Sequence, residues 1–283
     1  MSSSANIPFE DLLVLNCRSE IGFLCGFAER CSTLAYKNIE TGKQLLAQTW
    51  DWQENQQDNI IVLDITYLDG TRIITITEAG IVGNVGFNGD CVGVTFNGLI
   101  TKDIPLDYSM LPIHFALRYI ILESPSAGEA INRLMRIGVA STGHFLIADS
   151  ISAYGVELSP LGNGIIQPDT NGLVLHTNHW ISTPLIVKSD ALLSDTFTRL
   201  ERLKSRSLNI KTAEDIWEVM ADKDIIEGTY NKLETLCTVV MDLESGMGEL
   251  VYGKPTKGKQ RALLPRMGPM GNAGNDVKRQ SMR

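Results

Sequence analysis

Residues 31–52 read CSTLAYKNIETGKQLLAQTWDW, and this stretch has the pattern of a β-hairpin. Two runs rich in strand-forming residues flank the segment IETGK at 39–43, in which Gly42 can supply the positive φ that a tight turn needs. A turn centred near residue 41 would pair position 51 with position 31. We therefore expect Asp51 to lie beside Cys31 across the ladder.

A cysteine at the first position of a strand, directly after Glu29 and Arg30, has two explanations. Free cysteine is among the most buried residue types, so Cys31 can simply be a small core residue. Alternatively, the chain is cut before Cys31 and the cysteine becomes a new N-terminus. Asp51 stands between two tryptophans, where burying a carboxylate costs free energy unless it is paired or has a catalytic role. A strand-end cap is the simpler explanation for that aspartate.

Outward from this hairpin, residue periodicity predicts further strands and helices. In chain order we expect strands within 59–80 and 82–99, helices within 106–124 and 125–137, strands within 142–160 and 172–179, helices within 189–207 and 212–223, and a hairpin within 235–253. No βαβ alternation occurs. This order predicts an α+β protein in which two antiparallel sheets pack together with helices outside.

Helix and domain boundaries follow from local signals. Ser124 is the expected N-cap of the second helix, with Pro125 at its first position and Gly138 after its end. Thr212 and Asp215 resemble a capping box. The composition after about residue 254 is rich in lysine, glycine and methionine, so we expect residues 257–283 to be a disordered tail.

The composition excludes several classes of protein. The 283 residues carry a formal net charge of −8, which argues against nucleic-acid partners and against binding to an anionic membrane surface. No apolar run approaches the length of a membrane span, and the first residues do not resemble a signal peptide. The five cysteines show no CxxC spacing, which argues against a disulfide framework or a metal site and favours an intracellular protein.

Residues 175–180, LHTNHW, are the other candidate for chemistry, because two histidines flank Asn178 at the end of an apolar run. One reading pairs Cys31 as nucleophile with His176 or His179 as base. A second makes the Asn178 side-chain amide a donor to a developing oxyanion. The third is that this is only a polar strand end.

Several segments, taken together and in this order, carry a resemblance to a known family. They are CSTLAY, QTWDW, TITEAGIVGNVGFNGDCVGVTFNGL, PIHFALRYIILES, GVELSP, LVLHTNH, DTFTRLERL and TLCTVVMD. From about residue 9 to 256 the chain resembles the acyl-coenzyme A:6-aminopenicillanic-acid acyltransferase (isopenicillin N acyltransferase) family, which belongs to the N-terminal-nucleophile hydrolases. The resemblance implies a four-layer αββα sandwich, two antiparallel sheets between helices, and a proenzyme that cuts itself before Cys31.

The resemblance also implies roles for individual residues. Cys31 would supply the nucleophilic thiol and, once freed, the α-amine that acts as base, so that His176 and His179 become scaffold. Asp51 matches the family's acid beside the nucleophile, and Asn178 matches the oxyanion-stabilising asparagine. Asn97 matches a position that helps to form the same oxyanion hole in related hydrolases.

Ser159 falls on a family serine near the active site, and three positions depart from the family pattern. Thr49 stands where asparagine is common. Lys232 replaces an arginine that would recognise a carboxylate, which keeps the charge but loses the bidentate fork. Arg30 precedes the nucleophile where the penicillin-making enzyme has glycine, so we expect self-cleavage to be slow or to be aided differently.

By the same resemblance, residues 1–30 are a shortened propeptide remnant and residues 31–256 are the catalytic domain. We expect the loss of the longer propeptide to expose apolar surface. The implied activity is transfer of an acyl group, from acyl-CoA or an N-acyl amide, to a small amine through a Cys31 thioester, in secondary metabolism similar to β-lactam biosynthesis.

An amide hydrolase and an unprocessed, silent homologue are the alternatives to that activity. No metal or tightly bound cofactor is implied, with acyl-CoA as a co-substrate at most. The implied partners are a small-molecule substrate and the chain's own cleaved N-terminal segment, with no nucleic acid and no membrane. The implied location is the cytoplasm or the peroxisome.

Overall fold

The computed structural model describes residues 2–25, 29–99, 105–182, 195–226 and 233–267. The helices are α1 (Ser2–Ala5), α2 (Phe9–Asn16), α3 (Arg18–Leu24), α4 (Ile113–Glu123), α5 (Ala127–Ile137), α6 (Thr196–Ser207), α7 (Ala213–Met220) and α8 (Lys223–Ile226). The strands are β1 (Arg30–Lys37), β2 (Gln44–Gln53), β3 (Ile60–Thr66), β4 (Arg72–Glu78), β5 (Val85–Asn88), β6 (Gly93–Gly98), β7 (Gly143–Ala148), β8 (Ala153–Ser159), β9 (Gly162–Ile166), β10 (Leu173–His176), β11 (Leu233–Asp242), β12 (Met247–Tyr252) and β13 (Ala262–Leu264).

Two antiparallel sheets form the centre of the molecule. The first sheet has the strand order β10-β1-β2-β11-β12-β13, and the second has the order β3-β4-β5-β6-β7-β8-β9. Apolar side chains from both sheets share one buried cluster between them. Helices α4 and α5 pack on the outer face of the second sheet, and α6 to α8 lie over the first. The predicted αββα sandwich is therefore confirmed.

The hairpin β1–β2 differs from the expectation by one residue. Cys31 lies opposite Trp50, while Asp51 lies opposite Arg30. The loop 38–43 sets this register, because the Asn38 side chain accepts the backbone N–H groups of the residues two and three positions later. Since strand side chains alternate, a shift of one residue moves Asp51 to the opposite face of the sheet from Cys31.

Two boundaries of the helices test the capping signals. The N-cap of α5 is Ser126 and not Ser124, because the Ser126 hydroxyl accepts the Glu129 N–H at 3.2 Å. Gly138 ends α5 with φ 64°, as expected. The capping box of α7 is confirmed, with Thr212 and Asp215 bonded to each other's backbone N–H.

The prediction of a disordered tail from residue 257 is wrong for its first part. Strand β13 pairs with β12, and Leu264 and Met267 are buried against the inter-sheet cluster. The Met267 N–H donates to the Gly246 carbonyl at 2.6 Å, which fixes the chain beyond the strand. Composition missed this edge strand, because only two apolar side chains secure it. Residues 268–283 lie outside the described part.

Helices α2 and α3 pack against the sheet domain through polar groups. The Asn16 side chain bonds the Gly80 carbonyl and the Val82 N–H, at 2.9 and 2.8 Å. The Glu20 carboxylate accepts the Ile113 N–H at 2.9 Å. Several apolar side chains of these helices are exposed; they include Phe9, Val14 and Leu24. Among the described residues, no helix is both long and apolar enough to cross a membrane.

Gly86 allows β4 and β5 to approach closely, so we expect Gly86→Ala to destabilise the fold. An added Cβ would collide with the Ile74 carbonyl and the Thr75 Cα, and backbone atoms cannot move aside cheaply. Overpacking of this kind costs about 1–3 kcal/mol. Urea unfolding measures the loss. Gly89→Ala is the control, because its Cβ would stand 3.7 Å from the nearest atom; equal losses in both variants would contradict the explanation.

His114 makes stability depend on pH. Its Nδ1 bonds the Gly83 carbonyl, and burial together with the charge of Arg18 lowers its pKa to about 3. Below pH 6.5 the His114 ring takes up a proton in the unfolded chain but stays neutral in the folded protein. The free energy of unfolding therefore falls as the pH falls. Between pH 6.5 and 5 we expect a smaller fall in the unfolding free energy for His114→Asn than for wild type. Identical pH slopes would show that this ring does not contribute.

Candidate active site

Cys31 is the second residue of β1 and is completely buried. Its side chain belongs to the apolar cluster between the sheets, beside Trp50. Burial raises the pKa of the Cys31 thiol well above its usual range, and the carboxylates of Glu29 and Asp51 raise it further. In the uncut chain the thiol therefore keeps its proton and is shielded from solvent.

Two buried side chains bind the backbone of Cys31 from either side. The Cys31 N–H donates to Asn178 Oδ1 at 2.9 Å, and the Cys31 carbonyl accepts from Arg199 Nη1 at 2.7 Å. Arg199 Nη2 also donates to Asn178 Oδ1, at 2.9 Å. Asn178 Nδ2 donates to the Gly98 carbonyl in the second sheet at 3.1 Å. Asn178 thus links the candidate nucleophile to both sheets and to helix α6.

An ion cluster of Arg30, Asp51, Asp195 and Arg199 lies on the outer face of the first sheet, directly before Cys31. Arg30 Nη1 contacts Asp51, and Arg30 Nε donates to Asp195 Oδ2 at 2.7 Å. Arg199 Nε reaches the same Asp195 oxygen at 3.2 Å. Three of the four side chains are almost completely buried, and only Asp195 is partly exposed, at 24%.

The pKa shifts in the ion cluster follow from burial and from the pairing of charges. Burial, followed by the charge of Arg30, lowers the pKa of Arg199 to about 10. Burial also raises the pKa of Asp51 in spite of its ion pair with Arg30. For Asp195 the two arginines outweigh burial and lower the pKa. Asp51 is therefore the carboxyl group whose charge depends most on keeping its arginine partner.

Asn97 presents an unused hydrogen-bond donor. Its Oδ1 accepts from the Thr33 hydroxyl at 2.9 Å and bonds His144 Nδ1 at 2.8 Å. Its Nδ2 is buried and has no hydrogen-bond partner among the described residues. Thr33 lies two residues after Cys31 on the same face of β1, so the Asn97 amide is close to the candidate nucleophile. A buried amide with a free N–H is suited to an oxyanion.

Among the described residues, the other sequence candidates make no hydrogen bond to Cys31. Ser159 ends β8, and its hydroxyl donates to the Gly162 carbonyl and accepts the Leu161 N–H, so its bonds lie within the β8–β9 turn. Its role near the active site stays a prediction. Lys232 lies outside the described residues. Thr49 is buried on the face of β2 that also carries Asp51.

The two histidines that flank Asn178 have structural contacts. His176 Nε2 bonds Glu157 Oε1 at 2.9 Å and Nδ1 bonds the Thr177 carbonyl at 2.7 Å. His179 Nδ1 bonds the Thr196 hydroxyl at 2.9 Å, and burial lowers its pKa to about 4. In the described part of the chain neither ring is hydrogen-bonded to Cys31. The role of both rings as scaffold stays a prediction.

Sequence reasoning missed Arg199, Asp195 and His144. The signal for Arg199 was available: it shares the buried side of α6 with Leu200 and Leu203, a position at which an arginine needs a partner. Nothing in the sequence pointed to His144 or Asp195. Their partners are brought to them only by the pairing of distant strands and helices.

The chain is similar to known proteins in sequence. Residues 38–257 match the family described as acyl-coenzyme A:6-aminopenicillanic acid acyl-transferase. Over 181 residues the chain is 34% identical to the 40 kDa form of acyl-coenzyme A:6-aminopenicillanic-acid-acyltransferase from Emericella nidulans. That alignment covers 63% of this chain and 49% of the relative. The chain thus spans about half the length of the curated relative it matches.

Solved structures share the fold at low sequence identity. An N-acylethanolamine-hydrolyzing acid amidase ortholog from Caenorhabditis elegans superposes with a TM-score of 0.59 at 14% identity, covering 83% of this chain and 100% of that chain. Penicillin V acylase from Agrobacterium tumefaciens gives a TM-score of 0.59 at 12% identity, covering 83% and 86%. At these identities the two structures establish the sandwich fold alone.

The family match begins directly after β1 and extends over the other elements that build the site, which are β2, β6, β10, α6 and β11. It includes Asp51, Asn97, Asn178 and Arg199, and it begins seven residues after Cys31. Because it spans well over half of the chain, this protein belongs to the acyl-coenzyme A:6-aminopenicillanic acid acyl-transferase family.

Proposed function

We propose that this chain is a self-processing cysteine acyltransferase. It cuts itself between Arg30 and Cys31, forms a thioester on Cys31 and passes the acyl group to a small amine. The observation that carries the proposal is the hydrogen bonding of the Cys31 backbone. Its N–H and its carbonyl oxygen are both bonded by buried side chains, those of Asn178 and Arg199. In most strands a neighbouring strand pairs these backbone groups, whereas the pairing of β10 with β1 begins only at Thr33 and leaves them to side chains.

Self-cleavage would begin when the Cys31 thiol attacks the Arg30 carbonyl carbon. The thiol proton passes to the Cys31 nitrogen as the peptide C–N bond breaks, which leaves an Arg30–Cys31 thioester and a free α-amine. Water then hydrolyses that thioester and releases Arg30 as a carboxylate. Asn178 Oδ1 already accepts the N–H of the nitrogen that becomes the amine, so it can hold that group throughout.

In the cleaved protein the α-amine of Cys31 acts as general base. Its reference pKa of about 7.7–8.0 suits the removal of a thiol proton near neutral pH. Asn178 orients the amine through Oδ1, while its own Nδ2 is engaged by the Gly98 carbonyl. The free donor for the oxyanion is then Asn97 Nδ2. In this proposal Asn178 positions the base and Asn97 stabilises the oxyanion.

The acyl donor and acceptor follow from the name of the similar Emericella protein. We take an acyl-CoA as the donor and a small amine as the acceptor. Both transfer and hydrolysis proceed through one acyl-enzyme, so hydrolysis of the same thioester by water is the competing outcome. The ratio of amide product to free acid, measured with an acyl-CoA and a small amine, distinguishes an acyltransferase from an amidohydrolase.

The N-terminal segment stays bound after cleavage in this proposal. Arg18 pairs with Glu78 of β4, and the Asn16 and Glu20 side chains bond backbone groups of the sheet domain. Each of these contacts joins a residue before the Arg30–Cys31 bond to one after it, so none of them is lost when that bond is cut. The cut protein is therefore expected to behave as two associated pieces.

A silent, uncut homologue is the second candidate, and the ion cluster favours it. Arg30 is 1% exposed and is held by two carboxylates, and the Cys31 thiol is fully protonated and buried. Such a junction resists the movement that cleavage needs. In this candidate the chain keeps its full mass at any incubation time.

Intact mass spectrometry of the purified chain tests the proposal. We expect wild type to separate into fragments that end at Arg30 and begin at Cys31, whereas Cys31→Ala keeps its full mass because no nucleophile remains. Cys91→Ala is the matched control, since Cys91 is a half-buried thiol near Gly246 in the turn between β11 and β12, and it should be cut like wild type. Uncut wild type would exclude self-processing.

Arg199→Lys tests the contact that the sequence did not reveal. A lysine keeps the charge but cannot reach the Cys31 carbonyl, Asn178 and Asp195 together. We expect self-cleavage to slow by between about tenfold and a hundredfold, because small displacements of reacting groups carry penalties of that size. The time course of fragment appearance measures it.

Arg202→Lys is the control for this substitution. Arg202 lies on the same helix but pairs with Asp222 near the surface. A similar slowing in both variants would mean that the effect comes from helix α6 as a whole and not from the contact with Cys31.

A further inference from the structure

Three side chains form one polar row across the inner face of the second sheet. Asn97 of β6 pairs with His144 of β7, and His144 pairs with Glu157 of β8. All three are completely buried. Opposite them, on the first sheet, lies the pair Thr33 and His176. The polar row is thus a hydrophilic belt beside the apolar cluster between the sheets.

The belt joins the two sheets through side-chain contacts. Thr33 bonds Asn97, and His176 bonds Glu157 at 2.9 Å. The rings of His144 and His176 stack with centroids 3.6 Å apart and an angle of 8° between planes. His176 faces the Thr177 carbonyl with Nδ1 and the Glu157 carboxylate with Nε2, and both are acceptors.

The contact between His144 and Asn97 has two arrangements. In one, His144 Nδ1–H donates to the amide oxygen and the Asn97 NH₂ group is left free. In the other, the ring proton is on Nε2 and the Asn97 amide is flipped, so that the NH₂ group faces His144 and the amide oxygen would face Cys31. His144 Nε2 has no partner among the described residues and lies against Gly155. The structure has the first arrangement, because the Asn97 oxygen, and not its nitrogen, faces both the Thr33 hydroxyl and His144 Nδ1.

We propose that His144 is a positioning residue whose Nδ1–H holds the Asn97 amide oxygen, so that the NH₂ group is presented to Cys31 as the oxyanion donor. This rests on the proposed function. The stack on His176 and the bond from Thr33 keep the ring and the amide in place, while His144 itself makes no contact with substrate. Its neutral form agrees with burial and the neighbouring His176, which together lower its pKa well below the usual value.

Two substitutions separate hydrogen bonding from ring stacking. His144→Phe keeps a ring against His176 but removes the donor. His144→Asn loses the ring but retains an N–H near the position of Nδ1. With p-nitrophenyl acetate and the cleaved protein, we expect the maximal acylation rate of His144→Phe to fall by about tenfold to a hundredfold while the half-saturating ester concentration stays the same. His144→Asn should recover at least tenfold of that loss.

A double variant examines whether the effect passes through Asn97. If it does, adding His144→Phe to Asn97→Ala changes the acylation rate little, because the donor is already gone. The proposal is overturned if His144→Phe acylates as fast as wild type, or if the losses add in the double variant. It is also overturned if Phe at this position recovers the rate and Asn does not. Thermal unfolding of each variant separates loss of fold from loss of rate, and fragment appearance gives a second rate if a variant is cut slowly.

The ring tautomer gives a readout that does not need activity. Long-range proton–nitrogen correlation spectra of the full chain with ¹⁵N-labelled histidine distinguish Nδ1–H from Nε2–H. We expect Nδ1–H for His144, and Nε2–H would overturn the proposal. If wild type is neither cut nor acylated, the proposed function fails while this measurement still decides how His144 is protonated.

Discussion

The hydrogen bond from the Cys31 N–H to Asn178 Oδ1 is the contact on which the geometry of the site depends. Asn178 reaches the second sheet through Gly98, and Arg199 of helix α6 donates to the same oxygen. Three of the four layers therefore meet at one amide side chain. Because each layer is held rigidly by its own core, the backbone of Cys31 has little freedom to move.

Buried charge in the ion cluster must be offset by close pairing. Taking an arginine and a carboxylate out of water costs several kcal/mol for each ion, and the cost is recovered only when partners and hydrogen bonds are well placed. Arg30 supplies this compensation to Asp51 and Asp195 while it remains attached to Cys31. Separation of the chain at this bond would change the charge balance beside the new terminus. The proposed cleavage would therefore act on a junction whose ion pairs also stabilise the fold.

Local signals predicted much of the fold and part of the site. The turn with Gly42, the capping box at Thr212 and the resemblance around Cys31 and Asn178 all depend on residues close together in sequence. The prediction for Asp51 was wrong by one residue. The six-residue loop sets the register of β1 and β2, and because strand side chains alternate, this shift places Asp51 on the opposite face of the sheet from Cys31. The N-cap of α5 was misplaced by two residues, because the hydrogen bond from the Glu129 N–H to the Ser126 hydroxyl fixes the start of the helix.

The sequence by itself determined the order of strands and helices, the α+β class and the family, since these depend on periodicity and on motifs that are contiguous in the chain. Only the tertiary structure decided which groups surround Cys31. Arg199 is 168 positions away along the chain, and His144 is 47 positions from Asn97. Strand pairing and the stacking of two sheets create such contacts. No local sequence pattern predicts these contacts, because the strand register and the packing of the layers determine which side chains meet.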